Sequence, residues 1–214
     1  MKIQNLAVAA ILVASPLSVS ASTLGFAAGA ELTYFDASHE LNNHNIDGEP
    51  SKGVSVYFEH PLPLIPNLRF ENNSFEAKDS FKFSQSSLTA YYNVLDTDLV
   101  ELDAGLGYSN LGRNNWKGKQ DALNNDTINY YTKGEVHLPF TGLSAFGSAL
   151  GNYGRDYTSI DVKLGAKYTL DTPMVKPSLS VGYRVTEHNF DDLSRKTEVL
   201  SNDGFFAAVA IELK

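Results

Sequence analysis

A short segment near the end of the chain holds the side chains best suited to hydrolytic chemistry. Glu187 and His188 are followed closely by Asp191 and Asp192. A histidine beside carboxylates can polarise a water molecule or a hydroxyl group for attack on a substrate. This segment therefore supports the hypothesis of a hydrolase site at the rim of the molecule. An ordinary acidic loop accounts for the same residues, and we favour that interpretation.

No metal or cofactor site is predicted. The chain has no cysteine, and His39 and His44 lie near Glu40 and Asp47 without the spacing of a metal-ligand motif. No serine-centred elbow, glycine-rich phosphate loop or zinc motif appears. The expected cofactor content is therefore none, and we do not expect an enzyme.

Most of the remaining charged residues alternate with apolar ones. In residues 100–108, Glu101 and Asp103 share one face with two glycines, and the other face is apolar throughout. A β-strand places successive side chains on opposite faces, so each such segment has a polar and an apolar face. We predict that the charges on the polar faces form a network in the lumen of a barrel. They are Glu31, Glu59, Arg69, Glu71, Glu101, Asp103, Lys133, Glu135, Asp161, Lys163, Lys167 and Arg184.

Ten segments with this two-residue period must position the charges. The predicted strands span residues 23–35, 53–60, 68–75, 84–94, 99–109, 127–138, 143–152, 158–170, 178–185 and 205–213. The seventh cannot be assigned a polar face, because Gly147, Ser148 and Ala149 blur the alternation. Connections after the first, fifth and ninth strands are long and polar, whereas those after the second, fourth, sixth and eighth are short.

These features predict an all-β fold, a closed antiparallel up-and-down transmembrane β-barrel of ten strands, with eight as the fallback count. Short turns at one end and longer loops at the other are typical of outer-membrane barrels. A lipocalin-like barrel or a β-sandwich alternates in the same way, but it packs large residues inside. Here the polar faces are rich in glycine, serine and charge, and the apolar faces carry the bulk. We therefore favour the membrane barrel.

Aromatic residues on the apolar faces fall at two heights along the predicted strands. With odd-numbered strands running outwards, the predicted outer belt comprises Tyr34, Tyr108, Tyr130 and Phe205. The predicted inner belt comprises Phe58, Phe70, Tyr92 and Tyr168. Amphipathic rings gather at the two interfaces of a membrane, so two belts are the pattern expected of a spanning barrel.

Residues 1–21 have the features of a secretory signal peptide. Lys2 precedes an uncharged apolar run over residues 6–13, and small residues end the segment at Ala21, after which we predict cleavage. The barrel domain is then residues 22–214. The net charge of −8 argues against nucleic acid as a partner.

Short motifs spread over the predicted barrel domain carry a resemblance to a known class of proteins. They are Thr23-Leu24-Gly25-Phe26, His60-Pro61-Leu62-Pro63, Pro66-Asn67-Leu68, Tyr91-Tyr92, Leu138-Pro139-Phe140-Thr141-Gly142-Leu143 and Gly182-Tyr183-Arg184-Val185. In these the chain resembles small Gram-negative outer-membrane β-barrel proteins, in an uncharacterised group from gammaproteobacteria. The resemblance implies a closed barrel with no established activity. Such barrels usually end in an aromatic residue, whereas this chain ends Ile211-Glu212-Leu213-Lys214.

Three functions remain open at this point. The favoured one is a structural or surface-interaction protein of the outer membrane, with its lumen filled by the charge network. The alternative is a narrow, weakly cation-selective pore or transport accessory, because the predicted lumen holds more acids than bases. The third is the rim hydrolase. Expected partners are outer-membrane lipids, lipopolysaccharide and the barrel-assembly machinery, with both termini periplasmic, the long loops extracellular and any surface ligand unidentified.

Overall fold

A computed structural model describes residues 26–62, 64–77, 81–116, 119–120, 126–190 and 198–213, with the backbone alone at 113–116 and 119–120. The predicted signal peptide, with its cleavage site after Ala21, lies outside the described residues, as do Asp191 and Asp192. The described part contains strands, turns and bends and no helix. It therefore holds no helix long and apolar enough to cross a membrane.

The described residues contain twelve strands, and ten of them are long. Their bounds are β1 Ala27–Leu41, β2 His44–Ile46, β3 Gly48–Glu59, β4 Asn67–Ala77, β5 Phe81–Asp96, β6 Val100–Trp116, β7 Lys119–Gln120, β8 Asp126–His137, β9 Leu143–Tyr153, β10 Tyr157–Thr169, β11 Val175–Phe190 and β12 Glu198–Leu213. The short strands β2 and β7 pair only with β1 and β6 respectively. The long strands coincide with the ten predicted segments, so the predicted strand count is confirmed.

Every long strand pairs antiparallel with its neighbours along the chain, and the last strand pairs with the first. The closing ladder runs from Ala28 opposite Leu213 to Leu41 opposite Leu200. A closed barrel leaves no row of unpaired backbone N–H and C=O groups at a sheet edge. The predicted fold class, a closed up-and-down barrel, is therefore confirmed.

The two ends of the barrel differ. At the end that we call the turn end, β3–β4, β5–β6, β8–β9 and β10–β11 are joined by short connections, and β1 begins and β12 ends there. The opposite end, the loop end, carries the remaining connections. One of these is tight: Asn42 and Asn43 have positive φ angles of 52° and 65° and join β1 to β2 as a two-residue hairpin turn. Asparagine tolerates this conformation better than most residues with a side chain.

The strands extend further at the loop end than predicted. Strand β11 continues to Phe190 and β12 begins at Glu198, although residues 186–204 were predicted to be one loop. Strand β6 likewise continues to Trp116. In these extensions the side chains still alternate between inward and outward, but the outward ones are polar. The sequence of the extensions therefore resembled that of a loop.

The described side chains of the ten long strands alternate between the lumen and the outside, except at register shifts in the β3–β4 and β5–β6 ladders. Strand β9, which the sequence left unassigned, buries Ser144, Leu150 and Asn152 and exposes Leu143 and Ala145. Its outward face is therefore built from leucine, alanine and glycine and ends in the exposed Tyr153, and its lumen face mixes polar and large apolar residues.

Candidate functional site

The outer surface of the barrel has a continuous apolar belt. On β11 the outward residues Leu179, Val181 and Val185 are all more than 40% exposed. The apolar stretch between residues 175 and 185 is roughly 33 Å long, or about 25 Å along the barrel axis after a tilt of about 40°. This height matches the hydrocarbon-facing band of membrane barrels, whereas a water-soluble barrel would bury these side chains.

The predicted belt aromatics all point outwards. Every one of Tyr34, Tyr108, Tyr130, Phe205, Phe58, Phe70, Tyr92 and Tyr168 is more than 40% exposed. At the loop-end margin, the hydroxyl of Tyr183 donates a hydrogen bond to Asp203, and the same tyrosine packs edge-on against Phe205 with ring centroids 5.3 Å apart. Tyrosine and phenylalanine thus border the aliphatic part of the belt.

A central ion-pair layer, formed by Arg69, Glu71, Asp161, Lys163 and Arg184, crosses the lumen. The guanidinium of Arg184 donates two hydrogen bonds to the carboxylate of Asp161, at 3.0 and 2.5 Å. Arg184 is fully buried, and its guanidinium carbon lies 5.0 Å from the ring centroid of Phe35. A two-point ion pair with one face on an aromatic ring compensates much of a charge that water does not reach, although Nη1 has no hydrogen-bond partner among the described residues.

Glu71 joins the two sides of this layer. It accepts hydrogen bonds from Arg69 on its own strand at 3.1 Å, from Lys163 across the lumen at 3.2 Å and from Asn73 at 2.8 Å. Strands β4 and β10 are therefore linked through the interior as well as through the wall. Arg69 also lies over the ring of Tyr131, with 5.4 Å between the guanidinium carbon and the ring centroid.

A second group of charges, the turn-end cluster, is formed by Glu101, Lys133, Glu135, His137 and Lys167. Glu135 contacts Lys167 at 2.5 Å and Lys133 at 2.9 Å, and it accepts a hydrogen bond from Ser144 at 2.5 Å. Glu101 lies 3.1 Å from the ring of His137 and 3.9 Å from Lys133. This cluster ties β6, β8, β9 and β10 together near the mouth at the turn end.

The other three predicted lumen acids have polar rather than basic hydrogen-bond partners. Glu59 accepts a hydrogen bond from the Tyr91 hydroxyl at 2.8 Å. Glu31 accepts one from the Thr33 hydroxyl at 3.2 Å. Asp103 accepts one from the Asn93 amide at 3.0 Å. The lumen acids in excess over the lumen bases thus accept hydrogen bonds largely from hydroxyl and amide donors.

Aromatic and apolar side chains fill much of the lumen towards the loop end, where Glu198 is also buried. We call this group the aromatic plug; it comprises Phe75, Phe81, Phe83, Leu111, Tyr157, His188, Phe190 and Leu200. Phe83 lies at its middle, with ring centroids 5.1 Å from Phe75, 5.0 Å from His188 and 5.9 Å from Phe190. Sequence reasoning missed the plug because it treated these strand ends as loops. The signal was present, since Phe75 continues the alternation that contains Glu71.

His188 is part of this plug. Its Nδ1 lies 2.7 Å from the hydroxyl of Tyr157, which also donates to Gln85 across the lumen at 3.0 Å. His188 is 1% exposed, and Glu187 points to the opposite face of the strand. The hydrolase hypothesis required a carboxylate beside His188, and for Glu187 this expectation is wrong. Asp191 and Asp192 lie outside the described residues.

The expectation that the outward faces carry the bulk is also wrong in part. Gly165 and Gly182 lie opposite each other in the β10–β11 ladder and face the lumen. The rings of Phe146 and Phe206 pack over them, with centroids 6.2 Å apart. A Cβ atom on Gly182 would come within 2.8 Å of the Phe206 ring and 2.1 Å of a backbone carbonyl. The inward glycines that suggested a roomy polar lumen thus make space for aromatic rings.

The free space found within the central ion-pair layer is small. A cavity of about 10 Å³, lined by Arg69, Glu71, Tyr131, Asp161 and Lys163 among others, lies in the central layer. That volume is close to the minimum for one water molecule. The lumen there is a packed interior crossed by ion pairs.

The histidines near the loop end do not form a metal site. His39 is buried, with its Nδ1 2.6 Å from the Asn202 side chain. His44 is exposed and lies 2.9 Å from the carbonyl of Asn42. Among the residues that the structure describes, no group of three or more histidine, cysteine, aspartate or glutamate side chains could hold a metal ion.

Comparison with known proteins yields similarities of fold at low sequence identity. No protein-family model matches the chain, and no match is found among curated proteins. The solved structure of Neisserial surface protein A is 16% identical, with 89% of this chain and 97% of that one covered and a TM-score of 0.39. The translocator domain of autotransporter NalP from Neisseria meningitidis is 8% identical, with 99% and 98% covered and a TM-score of 0.41.

A third solved structure is that of the outer-membrane protease OmpT from Escherichia coli. It is 8% identical, with 87% of this chain and 96% of that one covered and a TM-score of 0.32. At these identities and TM-scores, none of the three structures indicates a function for this chain.

Proposed function

We propose that the protein is an integral outer-membrane β-barrel with a closed lumen, which acts as a structural or surface-interaction protein. The observation that carries this proposal is the reversal of the usual order of polarity. The outside of the barrel is an apolar belt, and buried charges such as Arg184 and Glu71 lie inside. Only a lipid environment makes that arrangement favourable over the height of the belt.

The packing of the lumen supports a closed barrel over the narrow pore. The aromatic plug spans the interior from Phe83 on β5 to Tyr157 on β10 and Leu200 on β12. Beneath the plug, the charged side chains of the central ion-pair layer pair with one another, as Arg184 does with Asp161 and Lys163 with Glu71. A permeating ion would have to displace apolar rings and compete with paired charges, and both are unfavourable in a poorly hydrated interior.

The extension of the wall at the loop end supports a role at the surface. Strand β11 continues from Val185 at the margin of the belt to Phe190, a distance of roughly 15 Å. The outward residues of this rim are polar, for example Glu187 and Asn189, and the plug fills its inside. The barrel thus holds its loop-end connections on a rigid support above the lipid.

The orientation follows from the same proposal. The loop end faces the exterior, with lipopolysaccharide around the rim, and the turn end with both termini faces the periplasm. Insertion by the barrel-assembly machinery is part of this proposal.

Two measurements on refolded protein test the proposal. The first is electrophoretic mobility with and without boiling, because closed membrane barrels resist detergent until they are heated. The second is conductance across a planar lipid bilayer. We expect a heat-dependent mobility shift together with no steady current from protein that has demonstrably inserted.

The two results separate the alternatives. Identical mobility before and after boiling, with no β-sheet signal in detergent, would overturn the membrane barrel itself. A mobility shift together with a steady cation-selective current would overturn the closed lumen and favour the pore.

A further inference from the structure

The connections at the turn end expose an unusual amount of apolar surface. In the β3–β4 connection, Leu64 is 89% exposed, and Leu62 and Ile65 are also exposed. In the β8–β9 connection Phe140 is fully exposed, and in the β10–β11 connection Met174 is exposed. We call these five residues the apolar collar. The β5–β6 connection at the same end differs in part, because the polar residues Thr97 and Asp98 precede the exposed Leu99.

The β3–β4 connection is held in a defined shape. One nitrogen of the His60 ring accepts a hydrogen bond from the backbone N–H of Leu62 at 3.1 Å, and the other donates to the carbonyl of Pro66 at 3.3 Å. The backbone N–H of His60 itself donates to the Asn67 side chain at 3.1 Å. His60 therefore joins the two ends of the connection that carries the exposed leucines.

The same connection lies against the outward face of the barrel. The hydroxyl of Tyr92, an outward residue of β5, donates a hydrogen bond to the carbonyl of Leu64 at 3.2 Å. Leu68 and Val94, the outward residues beside this contact, are exposed as well. The β3–β4 part of the collar is thus continuous with the apolar belt, and it extends the apolar surface beyond the end of the strands.

Phe140 is held in a conformation that a bulky residue rarely adopts. Its φ angle is 64°, in the left-handed region. The turn around it is fixed by Thr141, whose hydroxyl donates to the Leu138 carbonyl at 2.8 Å and accepts from the Leu143 N–H at 3.1 Å. Glycine or asparagine would adopt this φ with less strain. A strained phenylalanine that is fully exposed indicates a contact outside the barrel.

We propose that the apolar collar inserts into the boundary between headgroups and acyl chains of the lipid leaflet at the turn end. This inference rests on the proposed membrane barrel. Apolar side chains on a surface that adjoins the belt gain free energy by entering that boundary, whereas a charged side chain such as that of Asp98 stays in water. Leu64 and Phe140 then anchor the barrel at a fixed depth.

Single labelled cysteines test the depth, because the native chain contains none. The variants Leu64→Cys and Phe140→Cys carry an environment-sensitive fluorophore and are refolded into phosphatidylcholine vesicles. Asp98→Cys, at a charged position of the β5–β6 connection, is the water-exposed control, and Leu164→Cys, in the belt, is the lipid-exposed control. A heat-dependent mobility shift verifies that each variant is folded.

We expect the probes at 64 and 140 to emit at shorter wavelength than the probe at 98. Nitroxide-labelled lipid should quench them about twofold more than it quenches the probe at 98, and iodide in the water should quench them less. Probes at 64 and 140 that match the one at 98, while the probe at 164 is lipid-exposed, would overturn the collar alone and leave a protein partner as its occupant. A water-exposed probe at 164 would overturn the membrane barrel itself.

Discussion

Arg184 lies directly opposite Lys163 in the β10–β11 ladder, and yet its guanidinium is hydrogen-bonded to Asp161, one position along on the same face. Like charges directly opposite each other are destabilising. Each of the two cations is compensated by a different acid, because Arg184 pairs with Asp161 while Lys163 reaches across the lumen to Glu71 at 3.2 Å. The arrangement makes Asp161 the group that allows Arg184 to be buried.

Removal of one partner of this pair should be strongly destabilising. For Arg184→Ala we expect a loss of about 3–5 kcal/mol in the free energy of unfolding, because Asp161 is left buried and unpaired. The matched control is Lys176→Ala, which breaks a pair with the largely exposed Asp171 and should cost about 1 kcal/mol or less. Urea-induced unfolding in detergent measures both, and equal losses in the two variants would contradict the prediction.

The double variant Arg184→Met with Asp161→Leu extends this test. Replacing a buried ion pair by apolar residues of similar volume often restores stability. We therefore expect the double variant to recover most of what Arg184→Ala loses. If it is less stable than Arg184→Ala, the pair contributes more than the burial of an unpaired charge explains.

Gly182 and Gly134 provide a matched comparison of lumen and outer face. Gly182→Ala should abolish refolding, since the new Cβ would lie 2.1 Å from the Leu164 carbonyl and 2.8 Å from the Phe206 ring. Gly134→Ala should refold normally, because its nearest neighbour would be a leucine methyl 4.0 Å away. The yield of the heat-modifiable form is the measurement, and a normal yield from Gly182→Ala would show that the ladder can shift at this point.

Phe83 tests whether the aromatic plug is packed. Phe83→Ala should reduce the free energy of unfolding by about 3–5 kcal/mol, the usual cost of a large cavity in a well-packed interior. Phe83→Leu retains much of the volume at the same site and should cost about 1.5 kcal/mol or less. Thermal unfolding in detergent measures the series, and equal costs would indicate a loosely filled rim.

A charge placed on the outer face should be penalised according to its height. Leu164→Arg puts a guanidinium on the belt and should cost about 2–4 kcal/mol in lipid. Ser38→Arg puts the same side chain on the polar rim of β1 and should be nearly neutral. Folding efficiency in vesicles against denaturant concentration distinguishes them. Equal behaviour of the two variants would mean that no lipid covers Leu164.

The strand pattern was predictable from the sequence because alternation is a local property. Glu101 and Asp103 share a face with Gly105 whatever lies around them. The same two-residue period governs the other strands. Strand β9 could not be assigned, since its outward face contains glycine and alanine as well as leucine, and its lumen face contains Phe146 and Leu150. The phase of such a strand is set by its neighbours through pairing.

The partners of the lumen charges could not be predicted, because they depend on distances across the barrel. The contact of Lys163 with Glu71 joins strands that are far apart both in the sequence and around the wall. The plug was missed for a related reason. Phe75 and Phe83 lie next to polar residues that point outwards. A strand with polar residues outside and aromatic residues inside is favourable only in the rim, because the rim extends beyond the belt.

The ladder between β1 and β12 has a consequence for how the chain folds. It joins Ala28 to Leu213, the widest separation in sequence among the paired strands. Contacts of high sequence separation must overcome a large loss of chain entropy before they contribute any stability, and they slow folding. If hairpins form in order along the chain, the growing sheet therefore has two unpaired edge strands and is unstable until β12 pairs with β1. The barrel gains its stability in one late, cooperative step, and the rate of that step depends on its first and last strands together.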